Sequence, residues 1–396
     1  MISKQMKLLS AAFLSVLSIE LYSSQAQAAE SPEALVEEYV QAMNEHDWNT
    51  FAELHRSEEK NSLYNFFADP ANEAEHSGVL NVQNAVLNEL VEINLEDAAG
   101  MLYHEYDVEN SKVFVFGVDY SVYDESKYYS SGINYNFITC INENGEWKVA
   151  EMLPIADPEK LLYCGYLFSN DYDAAIYVMS ARQRGYLVNY NGETFGVLNE
   201  SASEMSTNGI LPRAILNQRT VPTNSTTIIY KNSSGGKETL NFHSYCLGVL
   251  AGEVRGISFD GIVRQAQAIA IKTFTWHYKI VPHGATEGYD VNYAQQSYQP
   301  SKVSENSNVT TDYNAVKSVW MESYGGAIFT AYYKAGTYAD QASYKNGGEF
   351  KQNGARWLYD NNQATTYKAL LKYYYDSSTA STGGAIRFFD DNKNEI

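Results

Sequence analysis

The sequence predicts an α+β protein in two units: helices with an antiparallel sheet first, then a mixed α+β unit built around a helical hairpin. Three observations carry this. Residues 30–155 read as helix, helix and then strands, closing on an Asn144-Gly145 turn. Residues 242–278 carry helical periodicity interrupted once by a turn. The chain has 396 residues, enough for two or three domains.

Taken in order, the chain opens like a secretory signal. Lys4 and Lys7 precede an apolar run from Leu8 to Leu17, and Ala26-Gln27-Ala28 supplies a small-residue cleavage site. Glu20 is out of pattern there. The run is too short to span a bilayer, so residues 1–28 are expected to be removed and the protein exported, without a lipid anchor. Ser31-Pro32-Glu33 then starts a helix with a capping hydroxyl, a proline at the first position and an early acid. Leu35, Val36, Tyr39, Val40 and Met43 form its apolar face. Asp47 to His55 reads as a second short helix, and the polar stretch beyond it also reads as helical.

Strands follow. Val113, Val115, Val118, Tyr120 and Val122 alternate imperfectly; Ile133, Tyr135, Phe137 and Thr139 alternate cleanly. Asn144-Gly145 is the strongest short hairpin signal in the chain, and Glu146 to Val149 is its closing strand. Asp171 to Arg184 reads as a helix stopped by Gly185, and Tyr186 to Tyr190 as a strand turned by Asn191-Gly192. Ser201 to Asn208 is a polar boundary. A strand is expected from Thr226 to Tyr230, and a turn at Ser233 to Gly236. His283 to Thr311 reads as a long surface loop, of a length that is usually functional. Asp312 to Tyr324 reads as helix or helix and turn, Ala327 to Tyr333 as strand, and Thr366 to Tyr375 as a last helix. Gly383 to Ile396 is short and charged.

Composition excludes some functions. The formal net charge is −20, and about −21 once residues 1–28, with two Lys and one Glu, are removed. So acidic a chain is a poor ligand for nucleic acid, and the charge serves solubility. Three cysteines, Cys140, Cys164 and Cys246, allow at most one disulfide and show no paired zinc spacing. The 33 Tyr and five Trp suit sugar rings as well as core and strand positions.

The chemistry centres on the hairpin. Phe242, Tyr245, Cys246, Val249 and Leu250 follow one helix face, and Glu253 continues it eleven residues on. A carboxyl on an apolar face is costly unless paired, and desolvation raises its pKa toward that of a working general acid. The alternative is a glutamate at a helix end that reaches water. Gly256 offers the helix stop and Asp260 the cap of the second helix, in which Ala266, Ala268 and Ala270 permit close packing.

Two resemblances sharpen this. The helix–helix–strand order of residues 30–155, ending in Asn144-Gly145-Glu146-Trp147-Lys148-Val149, resembles the nuclear transport factor 2-like (SnoaL-like) domains. These are cone-shaped α+β folds with a curved antiparallel sheet. The resemblance implies a pocket, for which His46, Asp47, His55 and His104 are candidates if they are not simply surface or core residues. Residues 251–254 (AGEV), a spacer, and 260–276 (DGIVRQAQAIAIKTFTW) resemble the SpoIID/LytB domain, as do Gln296-Ser297-Tyr298, Ala315-Val316, Ala331-Tyr332-Tyr333, Gln352-Asn353-Gly354-Ala355 and residues 370–375. The order and spacing of these pieces cover residues 210–380. The resulting division is a signal peptide at 1–28, a nuclear transport factor 2-like domain at 30–155, a connecting segment at 156–210 and a SpoIID/LytB-like domain at 211–390.

The second resemblance implies peptidoglycan glycan strands as partner. It implies a lytic transglycosylase in which Glu253 is acid and then base, cutting between N-acetylmuramic acid and N-acetylglucosamine to leave a 1,6-anhydro product. One carboxyl suffices because the sugar's own hydroxyl is the nucleophile, whereas an ordinary glycosidase needs two. LytB-type members imply the alternative, a non-catalytic wall-binding or amidase-enhancing module. A third reading is a sporulation or surface scaffold acting through the N-terminal domain on another wall protein. The family's zinc-binding positions are filled here by Gln295, Lys334 and Asn346, so no metal and no other cofactor is expected. His243 and Cys246 alone make no metal site. Gln267 and Gln296 are candidate substrate-binding amides. Tyr298, Tyr332 and Tyr333 are candidate stacking rings. Arg264 and Lys272 are either surface cations or contacts to muramic carboxylates.

Overall fold

A computed structural model describes residues 29–98, 102, 106–155, 172–198, 221–254, 259–324, 326–338, 344–378 and 383–396. The signal-like segment, the Ser201–Asn208 boundary, His104 and Cys164 lie outside the described residues. The fold is mixed α+β, with a four-stranded antiparallel sheet and helices in the N-terminal part.

Helix α1 (Pro32–Glu45) is capped by Ser31, whose Oγ accepts from the Ala34 N–H at 3.2 Å. Helices α2 (Trp48–Glu53), α3 (Ser57–Ala68) and α4 (Pro70–Ala74) follow. Strands β1 (Val82–Ile93), β2 (Ser111–Val122), β3 (Gly132–Glu143) and β4 (Glu146–Pro154) form a meander in that order, with the short helix α5 (Leu95–Ala98) between β1 and β2. Asn144 and Gly145 turn the β3–β4 hairpin at φ 58° and 93°, the left-handed pair that a two-residue turn requires.

The sheet is covered on both faces. Phe114, Phe116 and Val118 pack with Leu35, Val36, Tyr39 and Phe51 from α1 and α2. Val113, Val115 and Phe137 pack on the other face with Ala175 and Met179 of α6 (Tyr172–Gln183). That explains the imperfect alternation of β2: apolar residues are wanted at every position when both faces are buried. The segment after β4 is thus part of this layered unit. It continues into the β5 (Tyr186–Val188) and β6 (Thr194–Val197) hairpin, and Arg182 donates to Ser130 Oγ at 2.6 Å.

The second unit starts with the β7 (Thr227–Lys231) and β8 (Lys237–Asn241) hairpin, which runs into α7 (Phe242–Glu253). Helix α8 (Gly261–Ile280), capped by Asp260 through the Ile262 N–H at 2.9 Å, is the central rod of this unit. From Ala266 to Ile280 every residue is buried, on all sides of the helix. The alanines at 266, 268 and 270 let neighbours approach that closely. Strand β9 (Val291–Asn292) joins β7 in parallel, helix α9 (Ser307–Ala315) follows, and β10 (Trp320–Glu322) leads to β11 (Tyr332–Lys334). Strand β12 (Glu349–Lys351) pairs with β11 in parallel, α10 (Gln352–Asp360) and α11 (Tyr367–Tyr375) follow, and β13 (Arg387–Phe389) closes on β10.

Several expectations are corrected. Residues 283–311 are a surface loop only in part: Asp290, Val291 and Gln296 are buried and β9 lies within the stretch, whereas most residues from Tyr293 on are exposed or half-buried. The helix expected at 312–324 runs earlier, from Ser307 to Ala315, and Trp320–Glu322 is a strand instead. Of the strand expected at 327–333, only Tyr332 onward pairs. The stretch expected to stay helical after Asp47–His55 contains β1, whose register shifts at Val82/Asn84 and Leu87/Glu89 erase the alternation that would reveal a strand. The C-terminal stretch contributes β13 rather than only a charged tail.

The two units meet through polar contacts. Lys231 donates to Ser62 at 2.7 Å and to Glu287 at 2.6 Å. Asp290, wholly buried, is held by Lys127 and by Lys279 at 3.7 Å. Burial pulls the Lys127 ammonium down to about 7, against the attraction of Asp290. Gly78, at φ 56°, sits directly on the Thr286 carbonyl, where a Cβ would be 2.1 Å away.

Candidate functional site around Glu253

Glu253 is the last residue of α7, half-buried where the helix meets the Gln296–Gln299 turn. Two glycines make that approach possible. A Cβ on Gly252 would lie 1.9 Å from the Ser297 carbonyl oxygen, and one on Gly248 would lie 2.5 Å from the Tyr298 ring. Four residues apart, they give one bare stripe of helix on which the turn rests. The Gln299 N–H donates to the Gly248 carbonyl at 3.1 Å and fixes the turn there.

The turn in turn fixes Glu253. The Ser297 N–H donates to Glu253 Oε1 at 3.0 Å, and Gln352 Nε2 at the start of α10 donates to Oε2 at 3.2 Å. Burial raises the Glu253 carboxyl above the ordinary glutamate range, opposed by the Ser297 N–H and then the Gln352 amide. Among the described residues, no charged group adds to these three influences. The carboxyl is therefore oriented by neutral donors and holds its proton more tightly than an ordinary glutamate does.

A polar network lies beside it. Gln296 is buried; its Oε1 accepts from Tyr245 at 2.9 Å and Thr275 at 3.1 Å, and its Nε2 donates to the Tyr333 hydroxyl at 2.9 Å. The Tyr333 hydroxyl is buried, which pushes it above the usual phenol range, and the nearby Glu253 carboxylate adds to that. Tyr298 stacks on Tyr245 at 5.0 Å between ring centres, with Tyr230 edge-on at 5.1 Å. Tyr332 is half-buried and spends its hydroxyl on the Leu102 carbonyl of the first unit, at 2.9 Å. Gln296, Tyr298 and Tyr333 thus gather round the end of α7, with the Gln296 amide committed to Tyr245, Thr275 and Tyr333.

Other candidates sit elsewhere in the fold. Lys272 is fully buried, not a surface cation. It donates to the carbonyls of Val316, Lys317 and Val319, each at 2.7 Å, and lies 4.4 Å above the Trp320 ring. Its three donors are used, so it ties α8 to the turn after α9. Arg264 is also largely enclosed and pairs with Asp312 and the Phe259 carbonyl, fastening the start of α8 to α9. Gln267 is buried on α8, and neither end of its amide has a hydrogen-bond partner among the described residues.

His243 and Cys246 are both buried. His243 bonds the Tyr313 hydroxyl at 2.9 Å and is pushed down to about 3 by burial. Cys140 and Cys246 are free thiols in separate cores. Among the described residues no three His, Cys, Asp or Glu side chains gather as a metal site. Lys334 pairs with Glu349 at 3.2 Å. Of the first unit's candidates, His46 and Asp47 are exposed helix caps, while His55 is buried with Nδ1 on the Phe51 carbonyl at 2.8 Å.

Residue-type reasoning missed two donors to Glu253. Gln352 was visible only as the first residue of the Gln352-Asn353-Gly354-Ala355 match. The Ser297 donor is a backbone N–H, which any residue type could supply. Its only sequence trace is the Gly248/Gly252 spacing that admits the turn.

No family model and no curated protein matches the chain. No helix among the described residues is long and apolar enough to cross a membrane.

Proposed function

We propose that this protein is an exported lytic transglycosylase acting on peptidoglycan glycan strands. Its second unit is read as a SpoIID/LytB-like domain and its first as a nuclear transport factor 2-like domain serving a wall partner. Glu253 acts alone. Protonated, it gives its proton to the oxygen between N-acetylmuramic acid and N-acetylglucosamine. As carboxylate, it then takes the proton of the muramic O6 hydroxyl as that oxygen closes on C1, which leaves the 1,6-anhydro ring and a free N-acetylglucosamine hydroxyl. The observation that carries the reading is a single half-buried carboxyl, raised in pKa, held by two neutral donors and flanked by tyrosines. Such a group suits a scheme with one acid/base and no second carboxylate.

The test is mass spectrometry of products from denuded glycan strands, with the mature protein and Glu253→Gln. Products one water lighter than hydrolysis gives, made only by the native protein, are the expected result. Ordinary reducing ends would mean a hydrolase and overturn the single-acid scheme. Strands bound but uncut by both proteins would favour the wall-binding or amidase-enhancing module. That second reading is supported by the replacement of the family's zinc positions by Gln295, Lys334 and Asn346.

A further inference from the structure

Strands β11 and β12 are parallel, so the chain leaving β11 and the helix α10 leaving β12 depart from the same end of the pair. Asn353 ties the two together there. Its N–H donates to the Ala335 carbonyl and its Nδ2 to the Gly336 carbonyl, each at 3.0 Å. Gly336, at φ 60°, lets the backbone come close, since a Cβ on it would stand 3.0 Å from the Lys351 Cβ. Two residues on, Tyr338 lies against α10 and is 44% exposed.

One exposed aromatic on a protein surface needs no explanation. This one is held in place. Its hydroxyl donates to Asp360 Oδ2 at 3.1 Å. The Arg356 guanidinium pairs with that same oxygen at 3.5 Å and lies 5.9 Å from the Tyr338 ring centre. A ring that is open to solvent yet tethered has already lost part of the freedom that binding would cost. Its face is negative, and the C–H bonds on one face of a sugar ring carry the opposite partial charge. Arg356 offers donors and Asp360 an acceptor, the complements of sugar hydroxyl and acetamido groups. The pair carries no net charge, which suits an uncharged ring.

The platform is also in line with Glu253. Gln352, which donates to Glu253 Oε2, and Arg356 are four residues apart. They share one face of α10, about 6 Å apart along its axis. Asp360 lies one turn beyond Arg356. A strand with one linkage at Glu253 can therefore continue along this face and lay a neighbouring sugar on Tyr338.

We propose that Tyr338, with Arg356 and Asp360 beside it, is a saccharide subsite that stacks an uncharged sugar of the glycan strand, flanking the bond held at Glu253. The proposal rests on the reading of Glu253 as a glycan site and deepens it. The protein takes strands several sugars long, because a disaccharide at Glu253 falls short of the platform. Tyr338 binds sugar and takes no part in proton transfer.

Calorimetric titration of the full mature chain, carrying Glu253→Gln to keep the ligands whole, uses chitobiose, chitohexaose and denuded glycan strands. The two long ligands should bind roughly tenfold tighter than chitobiose, the size of one good aromatic contact. Tyr338→Ala should remove that advantage and leave chitobiose binding unchanged. Tyr338→Phe keeps the ring but loses its tether, and should cost the long ligands only about threefold. Tyr338 is exposed, so thermal melts of both variants should match the parent. Long ligands held equally well after Tyr338→Ala, an equal loss on chitobiose, or Tyr338→Phe no better than Tyr338→Ala would each overturn the subsite and leave the Glu253 reading intact. Strands bound through Tyr338 but left whole by the native protein would keep the subsite and sink the transglycosylase. No binding of either long ligand would overturn both.

Discussion

Gly252→Ala tests the geometry that builds the site. Alanine is the better helix former, by up to about 1 kcal/mol, so on helix propensity alone the variant should be more stable. The structure reverses that sign. The new Cβ would stand 1.9 Å from the Ser297 carbonyl oxygen, whereas real Cβ atoms essentially never come closer than 3.0 Å. Helix and turn must separate by at least the difference, about 1.1 Å. The obstacle is backbone, held by the Gln299 to Gly248 hydrogen bond and by Tyr298 stacked on Tyr245, so it cannot swing aside. Overpacking of this kind costs about 1–3 kcal/mol. Set against the helix gain, a net loss of up to roughly 2 kcal/mol is expected, read as a lowered midpoint in urea unfolding. The retreat also withdraws the Ser297 N–H from Glu253, removing a donor that lowers its pKa. The Glu253 pKa should then rise further, which carbon-13 NMR of the labelled carboxyl would detect. Gly248→Ala meets a ring instead of a backbone oxygen and should cost less. A Gly252→Ala protein as stable as the native one, with an unmoved Glu253 titration, would refute the close approach.

Three further outcomes follow. Lys272→Met should destabilise the fold by more than about 3 kcal/mol, because three buried carbonyls lose their donor; unfolding within 1 kcal/mol of native would reject the structural role. His243 is depressed from 6.5 to about 3, so the unfolded chain binds the extra proton between those values and stability falls as pH drops through that window. His243→Gln should flatten that acid limb by about one proton in melts run from pH 7 to 3. For Glu253 the sign is opposite. Its folded pKa lies above 4.5, so the proton it retains stabilises the fold at low pH, and this is lost as pH rises through the folded pKa. Glu253→Gln should therefore gain stability relative to native at neutral pH, with the gap closing toward pH 4, while any Glu253-dependent cleavage falls on the alkaline side.

The sequence by itself determined the local elements whose causes are local. Ser31-Pro32, Asn144-Gly145, Asp260 and Thr366 each start or turn an element through their own backbone or side-chain chemistry, and each stands where that chemistry predicts. The apolar face that ends on Glu253 is equally local, so the candidate residue was legible. Tertiary structure decided the rest. Strand β1 was hidden because its bulges break the period of two. Residues 283–311 looked like surface because polar side chains there are buried against partners distant in sequence, as Asp290 is against Lys127 and Gln296 against Tyr245 and Tyr333. Lys272 carries the same lesson: a lone lysine in a helix reads as a solvated cation, and only the packed fold supplies the three carbonyls that hold it inside. What completes the Glu253 environment, a backbone N–H from one turn and an amide from a helix 99 residues away, is a property of chain path rather than residue type.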